Sequence, residues 1–448
     1  MKNTKFNYIS LIILHIVIAF AVFALPFLSK IYAFLIPVIG AFFVFKNKNK
    51  NKNNEVLYVS AYLVGAEVFL RMTGGNFNNE YVKYLVIFFM ICGMIFSNFS
   101  KNAVVYSFFL ILLLPAVLIT TETANFDINI RKILAFNLSG PFCLAICATY
   151  MINRKIVFND LQNVLKSIGF PIITTTIYLF LYTPSIKEVV TGTQSNFATS
   201  GGFGPNQVST ILGLGIFVFF TQLILFSKTK KDIFINGGLL IFISYRGIVT
   251  FSRGGVFTAI AMIICLFAVV YYFSNARGKS KFIVVFALTG LMSIGIWTYT
   301  TLQTHGLIEK RYANKDARGR EKKDRLGGRE EVMNAEINLF LNNPIFGVGA
   351  GMSKFERVEE LGQEVASHSE ITRLGAEHGV FGIFAFLILF FTPIVCYLNN
   401  KQHLYFLSFF IFWLLTINHA AMRIAAPAFV YALSLLSVHI KIPEQTEN

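Results

Sequence analysis

The sequence predicts an all-α polytopic membrane protein with about 12–14 membrane-crossing helices and one long extracytoplasmic loop near the C-terminus. Three observations predict it. Of 448 residues, 55% are hydrophobic and only 14% are charged, against about 25% charged in soluble domains, and mean hydropathy is +0.61. Apolar runs recur along nearly the whole chain, most of them close to the ~20 residues that a crossing helix needs. One long polar segment, from about Gln303 to His378, interrupts them. A net charge of +16 would suggest nucleic acid for a soluble protein. Here much of it sits in short loops between apolar spans, where it sets orientation, so no nucleic-acid partner is expected.

Met1 to Asn7 is short and basic, and the first span follows at Tyr8–Leu28. It is expected to stay as an anchor, because many spans follow it. The second, Ile31–Phe45, runs into alternating lysines and asparagines up to Lys52, a marker of the inner side. Further spans are expected at Val56–Met72, Tyr84–Phe99, Ala103–Ile119 and Lys132–Ile152. The stretch Asn153–Lys166 places apolar residues at 157, 158, 161, 164 and 165, which predicts a short amphipathic helix on the inner surface. Spans then follow at Ile168–Tyr182, Gln207–Phe226, Ile233–Thr250, Val256–Phe273 and Phe282–Leu302. The last are Gly379–Leu398, Leu404–Asn418 and Ala425–Ile440.

Lysine-rich connections at 46–52, 228–231, 277–281 and 401 all fall on the side of both termini. The scheme is therefore N-in and C-in, with the long loop outside. That loop's own basic residues do not contradict it, because long loops escape the charge rule. The chain divides into membrane helices over 1–302, the outer loop over 303–378 and membrane helices over 379–448, with no internal repeat. All five cysteines lie in apolar spans without a CxxC pair, so neither a disulfide framework nor redox work is expected.

Three outer stretches carry possible chemistry. Ser200-Gly-Gly-Phe-Gly204-Pro205-Asn206 opens a span; proline at a first helical position after glycines marks a helix N-terminus with exposed N–H groups. Arg246 and Ser252-Arg253-Gly-Gly255 stand at a helix end and the turn beyond it. Arginine near hydrocarbon usually faces a bundle interior or a wet cavity, and it grips phosphate oxygens bidentately. If the helix persisted, the two arginines would share a face; the bland alternative is snorkelling to the interface.

The third stretch is the outer loop. Its first part, Lys310 to Arg325, reads as a charged tether. The rest has Gly-Gly-Arg329, then Asn343-Pro-Ile-Phe-Gly-Val-Gly-Ala-Gly351, then Ser367-His368-Ser369-Glu370. Long loops on a rigid scaffold are where binding and catalysis concentrate. Serine with glutamate three residues later is the capping-box pattern. It predicts His368 in the first turn of a helix, neutral near pH 7 and able to accept a proton. His378 is rotated away on such a helix. His15, His305, His403, His419 and His439 are scattered. No HExxH, Cys/His or paired-aspartate spacing and no Walker loop is present, so no metal or cofactor is expected.

In this order and on one side, these stretches resemble the O-antigen ligase and polymerase superfamily of bacterial membrane glycosyltransferases. The resemblance runs from about Gly201 to Gly382 and includes Leu374-Gly-Ala-Glu-His-Gly-Val-Phe-Gly382. Two positions depart from the common pattern: Met333, where that family often has tryptophan, and Ser369, where it often has asparagine. The resemblance implies transfer of a glycan from an undecaprenyl-diphosphate carrier to a hydroxyl of a lipid-anchored core or another glycan, on the outer face of the cytoplasmic membrane, without nucleotide or metal. It implies Arg253 and Arg329 on the diphosphate and His368 on the acceptor hydroxyl, with Gly204, Pro205, Asn206, Arg246 and Glu370 as substrate-binding residues. Ligase and polymerase both remain open. The alternative from another class is a lipid-linked glycan flippase, which would place polar groups near the midplane, often with repeats.

Overall fold

The computed structural model describes residues 7–46, 51–124, 129–322, 328–365, 367–419 and 422–440. The helices are α1 (Tyr8–Ala24), α2 (Leu28–Phe45), α3 (Glu55–Met72), α4 (Tyr81–Phe96), α5 (Val104–Thr123), α6 (Ile130–Met151) and α7 (Phe158–Tyr182). Then come the one-turn α8 (Ile186–Val189), α9 (Pro205–Thr221, with a π-helical tail to Phe226), α10 (Lys230–Ile248), α11 (Arg253–Phe273) and α12 (Ala276–Gln303). Short helices follow in the long loop: α13 (Leu307–Tyr312), α14 (Arg329–Asn342), α15 (Ser353–Glu356) and α16 (Val358–Leu361). The chain closes with α17 (Glu370–Asn399), α18 (Phe406–Thr416) and α19 (Ala425–Leu433).

Every predicted span contains a helix. Among the described residues 8 are long and apolar enough to cross a membrane, and α1, α4 and α18 are shorter apolar helices. Phenylalanine and leucine cover the outward faces; Phe34, Phe108 and Phe391 are each more than half exposed, as side chains facing lipid should be.

Two elements differ from expectation. The stretch 153–166 is no separate surface helix. Lys155–Val157 forms β1, and Phe158 begins α7, which runs unbroken to Tyr182. Leu161, Val164 and Leu165 are fully buried, so the apolar stripe faces protein and not lipid. The last span is also shorter. α19 has nine residues, all buried, and the chain then forms β2 (Ser437–His439), parallel to β1 with Ile156 opposite Val438. The N-terminus of α19 is held by the buried carboxylate of Glu67, which accepts from the Ala425 N–H at 2.6 Å. An anion there satisfies a free amide and complements the helix dipole.

The two ends of the bundle contrast. One gathers β1, β2 and the turn at Asn51, whose side chain donates to Tyr150 at 2.7 Å and Ser97 at 2.9 Å. The other gathers the described residues of 183–204, 249–252, 304–322, 328–365, 367–369, 417–419 and 422–424, tied by bonds such as these. The Asn196 amide donates to the Thr250 carbonyl at 3.0 Å. Arg311 Nε donates to the Phe251 carbonyl at 3.0 Å. The Glu370 amide donates to the Ile417 carbonyl at 2.8 Å. Of the expected tether, the described part holds α13 and a bridge between Lys315 and Glu321; residues 323–327, with Leu326 and Gly327 of the glycine-arginine motif, lie outside the described residues.

Candidate functional site

Proline at the first position of α9, with Gly204 as its cap, ends the segment 183–204 and presents Asn206. α10 stops at Ile248, and Phe251, at φ 59°, turns the chain. α11 then starts at Arg253. The two motifs meet there. Ser252 Oγ donates to Asn206 Oδ1 at 2.8 Å, and Ser209 Oγ donates to the Ser252 carbonyl at 2.8 Å. The glycines after Arg253 have separate uses. A Cβ at Gly255 would collide with the Ser209 carbonyl, and one at Gly254 with the His419 ring. Glycine thus lets α9 and α11 approach backbone to backbone, and it brings His419 to the start of α11.

Arg246 is elsewhere. The helix breaks between the two arginines, and Arg246 is fully buried. Its guanidinium donates to the Leu179 carbonyl and, at 3.2 Å, to the Thr183 carbonyl. It closes the C-terminal end of α7, where carbonyls lack helical partners. The guanidinium expected at the substrate is thus engaged by two backbone carbonyls.

The motif from Asn343 to Gly351 braces α17. That helix breaks at Gly379, with φ 59° and ψ −143°. The Val348 and Gly349 amides donate to the Ala376 and Glu377 carbonyls at 2.9 and 3.1 Å, and the Val380 amide donates to the Pro344 carbonyl at 2.8 Å. A Cβ at Gly347 would strike the Glu377 carbonyl, and one at Gly379 the Ile345 carbonyl. The glycines therefore allow a loop to insert into a helix and satisfy the groups the break exposes.

The start of α17 is shifted from expectation. Ser369, not Ser367, is the N-cap, and Glu370 is the first helical residue. Ser367 Oγ donates to the Ser369 carbonyl at 2.9 Å. His368 therefore lies just before the cap. Glu370 is no capping-box partner; it is ion-paired with Arg373. That arginine also lies 3.4 Å from Glu377 and donates to Asn137. Glu336 is paired with Arg357, both side chains fully buried, and accepts from the Thr372 hydroxyl at 2.6 Å.

His368 is half-buried, and its Nδ1 is buried without a hydrogen-bond partner. Burial above all, then the charges of Arg329, Arg423 and His419, push its pKa down to about 4. Desolvation first, and cations second, thus favour the neutral imidazole. His419 is likewise lowered to about 4, by burial first, with Arg329 adding to it. Its Nδ1–H donates to the Leu415 carbonyl at 2.9 Å, and the Thr210 hydroxyl lies 3.1 Å from Nε2. His378 is buried in α17, apart from this group.

Arg311 and Arg423 complete the cluster. Arg311 is held below its ordinary range by burial and then by the like charges of Arg253 and Arg329. Burial, Arg373 and Arg329 do the same to Arg423, whose Nη2 donates to the Ser367 carbonyl at 2.8 Å. Sequence reasoning singled out Arg253, Arg329 and His368, and missed Arg311, Arg423 and His419. The available signal was the one used for Arg253: a basic side chain at the outer end of an apolar span. Beyond Ser367 and Arg423 a cavity of about 680 Å³ opens between α4, α6 and α17. Among the described residues no group of three or more His, Cys, Asp or Glu is placed to hold a metal.

A bundle of long apolar helices whose arginines and histidines converge from distant loops at one end is a multi-pass membrane protein with a polar cluster at that end. Residues 238–387, from α10 into α17, match the family model described as O-antigen ligase (Wzy_C). That stretch reads as a domain of this family, whose members are ligase or polymerase glycosyltransferases. The matched stretch includes Arg253, Arg311, Arg329 and His368, whereas Asn206, His419 and Arg423 lie outside it. No curated protein matches the chain.

Proposed function

We propose that the protein transfers a glycan from an undecaprenyl-diphosphate carrier to a hydroxyl of a lipid-anchored core or of another glycan, at the outer face of the cytoplasmic membrane. One observation carries this reading: His368 stands among Arg329, Arg423 and His419, with Arg253 and Arg311 in the same field. The acceptor oxygen forms a bond to the anomeric carbon and gives its proton to the neutral imidazole. The bond from that carbon to the phosphate oxygen breaks, and its electron pair leaves on the diphosphate. Arg253 and Arg329 meet the growing negative charge, a role that preorganised cations fill well where water is scarce. Arginine supplies this charge without a metal, and transfer that persists in chelator is the expected result.

Donor binding also tunes the base. The cations that lower the His368 pKa are the ones a diphosphate would neutralise. With the donor seated, the pKa rises towards its ordinary value and the imidazole becomes a better base. Asn206 acts at one remove, by fixing Ser252 beside Arg253.

Deleting the gene and profiling surface glycans tests the reading. Single repeat units left behind identify a polymerase, and full-length chains stranded on the carrier identify a ligase; an unchanged profile sinks both. Orientation has its own test. A cysteine at exposed Gln363 should react with an impermeant thiol reagent on intact cells, and one at exposed Lys52 only after lysis. The reverse pattern would put the site on the wrong face.

A further inference from the structure

We propose that the cavity between α4, α6 and α17 is the acceptor subsite and takes a neutral, hydroxyl-rich sugar ring; this rests on the transfer reading above. The volume, about 680 Å³, lies in the range of small-molecule pockets, ~300–1,000 Å³. Its walls decide the ligand class. The deep wall holds Glu370, Arg373 and Glu377, buried or nearly so and already ion-paired with one another. Ser353 donates to Glu377 at 2.8 Å, and Asn137 accepts from Arg373. At that wall a phosphate would face two carboxylates and an arginine already engaged by both; of the other lining cations, Lys354 is paired with Glu364 and Lys132 is exposed. A sugar hydroxyl instead finds carboxylate and amide oxygens that accept and amide or guanidinium N–H groups that donate. The mouth continues the pattern with Asn78, Asn79 and Asn129, all exposed. Tyr84 and Phe136 also line the cavity and are 45% and 48% exposed, available for the apolar face of a ring.

The cavity is also placed for transfer. Ser367 and Glu370 line it and bracket His368 in the chain. Arg423 lines it too, donates to the Ser367 carbonyl at 2.8 Å and acts on His368. Arg253, Arg311 and Arg329 are not in its lining. A ring seated there offers a hydroxyl past the Ser367–Arg423 edge to His368, while the diphosphate occupies the arginines on the other side.

The test uses the full-length protein in nanodiscs carrying Asn79→Cys, with labelling by a hydrophilic maleimide. The native cysteines all lie within membrane helices, buried or half-buried. Three probes are compared: glycan released by mild acid from the host's carrier lipid, the intact carrier-linked glycan, and undecaprenyl diphosphate alone. Either glycan probe should slow labelling severalfold, and the bare carrier should not. Protection by the free glycan assigns recognition to the ring and supports the subsite; protection only by the linked form, which is also the donor, overturns it as an acceptor site. Protection by the bare carrier, or by none of the three, overturns it. Adding Tyr84→Ala or Phe136→Ala should raise the glycan concentration for half-protection by about three- to tenfold, the loss of one aromatic contact. Adding His368→Ala should leave protection intact, because binding precedes the proton transfer. An unchanged surface-glycan profile on gene deletion would sink the transfer reading without touching the labelling result, so the two fail separately.

Discussion

Arg357 and Arg373 are ion-paired with carboxylates, whereas Arg311 lies among other arginines and Arg423 between Arg373, Glu370 and Arg329. The first pair brace the start of α17: Arg357 is paired with Glu336, and Arg373 with Glu370 and Glu377. The second pair feel Arg329, and Arg311 feels Arg253 as well. Both sets come from the same end of the bundle and are alike in sequence. The difference lies in what each field asks for. A buried arginine matched by a carboxylate is complete and fixes a loop, and removing one partner leaves a costly buried charge. Arginines that raise one another's energy gain most from an anion brought by a substrate.

The largest effect should fall on the residue between the two sets. His368→Ala should lower transfer by about 10²–10⁴-fold, the usual loss of a general base, while folded yield in nanodiscs stays near that of the unaltered protein. His378→Ala is the counterpart: it should reduce heat tolerance and keep most turnover per folded molecule. If His378→Ala abolishes transfer and His368→Ala does not, the assignment of the base is wrong.

Next in size is a brace arginine. Arg357→Ala should destabilise the fold by about 3–5 kcal/mol, as expected when a buried ion pair loses one partner, read as lost heat tolerance in nanodiscs. Normal stability in this variant would erase the distinction between the two sets.

Arg253→Lys and Arg329→Lys keep the charge and lose the fork. Each should cost about 1.5–3 kcal/mol of transition-state stabilisation, roughly tenfold to over a hundredfold in kcat/KM, with heat tolerance unchanged. Near-normal rates in both would show two surface charges.

The smallest expected effect is a shift in a pH profile. Neutral imidazole accepts the proton, so activity is present above the His368 pKa and lost as pH falls through it. In the free enzyme that pKa is about 4, and kcat/KM reports it. A bound diphosphate offsets Arg329 and Arg423, so the acid limb of kcat should lie at higher pH than that of kcat/KM. The displacement should persist in His419→Gln, which removes the neighbouring histidine whose pKa is also near 4. Coincident limbs, or the reverse order, would remove donor-assisted tuning of the base.

By itself the sequence determined the membrane class, the positions of the apolar helices along the chain, and the ordered motifs around Asn206, Arg253, Arg329 and His368. These follow from local causes: span length against bilayer thickness, proline and glycine at helix ends, and charge in short loops. Even so, the stripe at 157–165 misled, because periodicity marks an apolar face and not whether lipid or protein covers it. Only the tertiary structure decided which charges share a site. His419 reaches the start of α11 because Gly254 leaves room for its ring; Arg423 reaches the His368 segment through the Ser367 carbonyl; Arg246, so similar to Arg253 on paper, turns to the end of α7. Each of these contacts joins residues far apart in the chain, and an electrostatic field depends on distance in space, which no local pattern records.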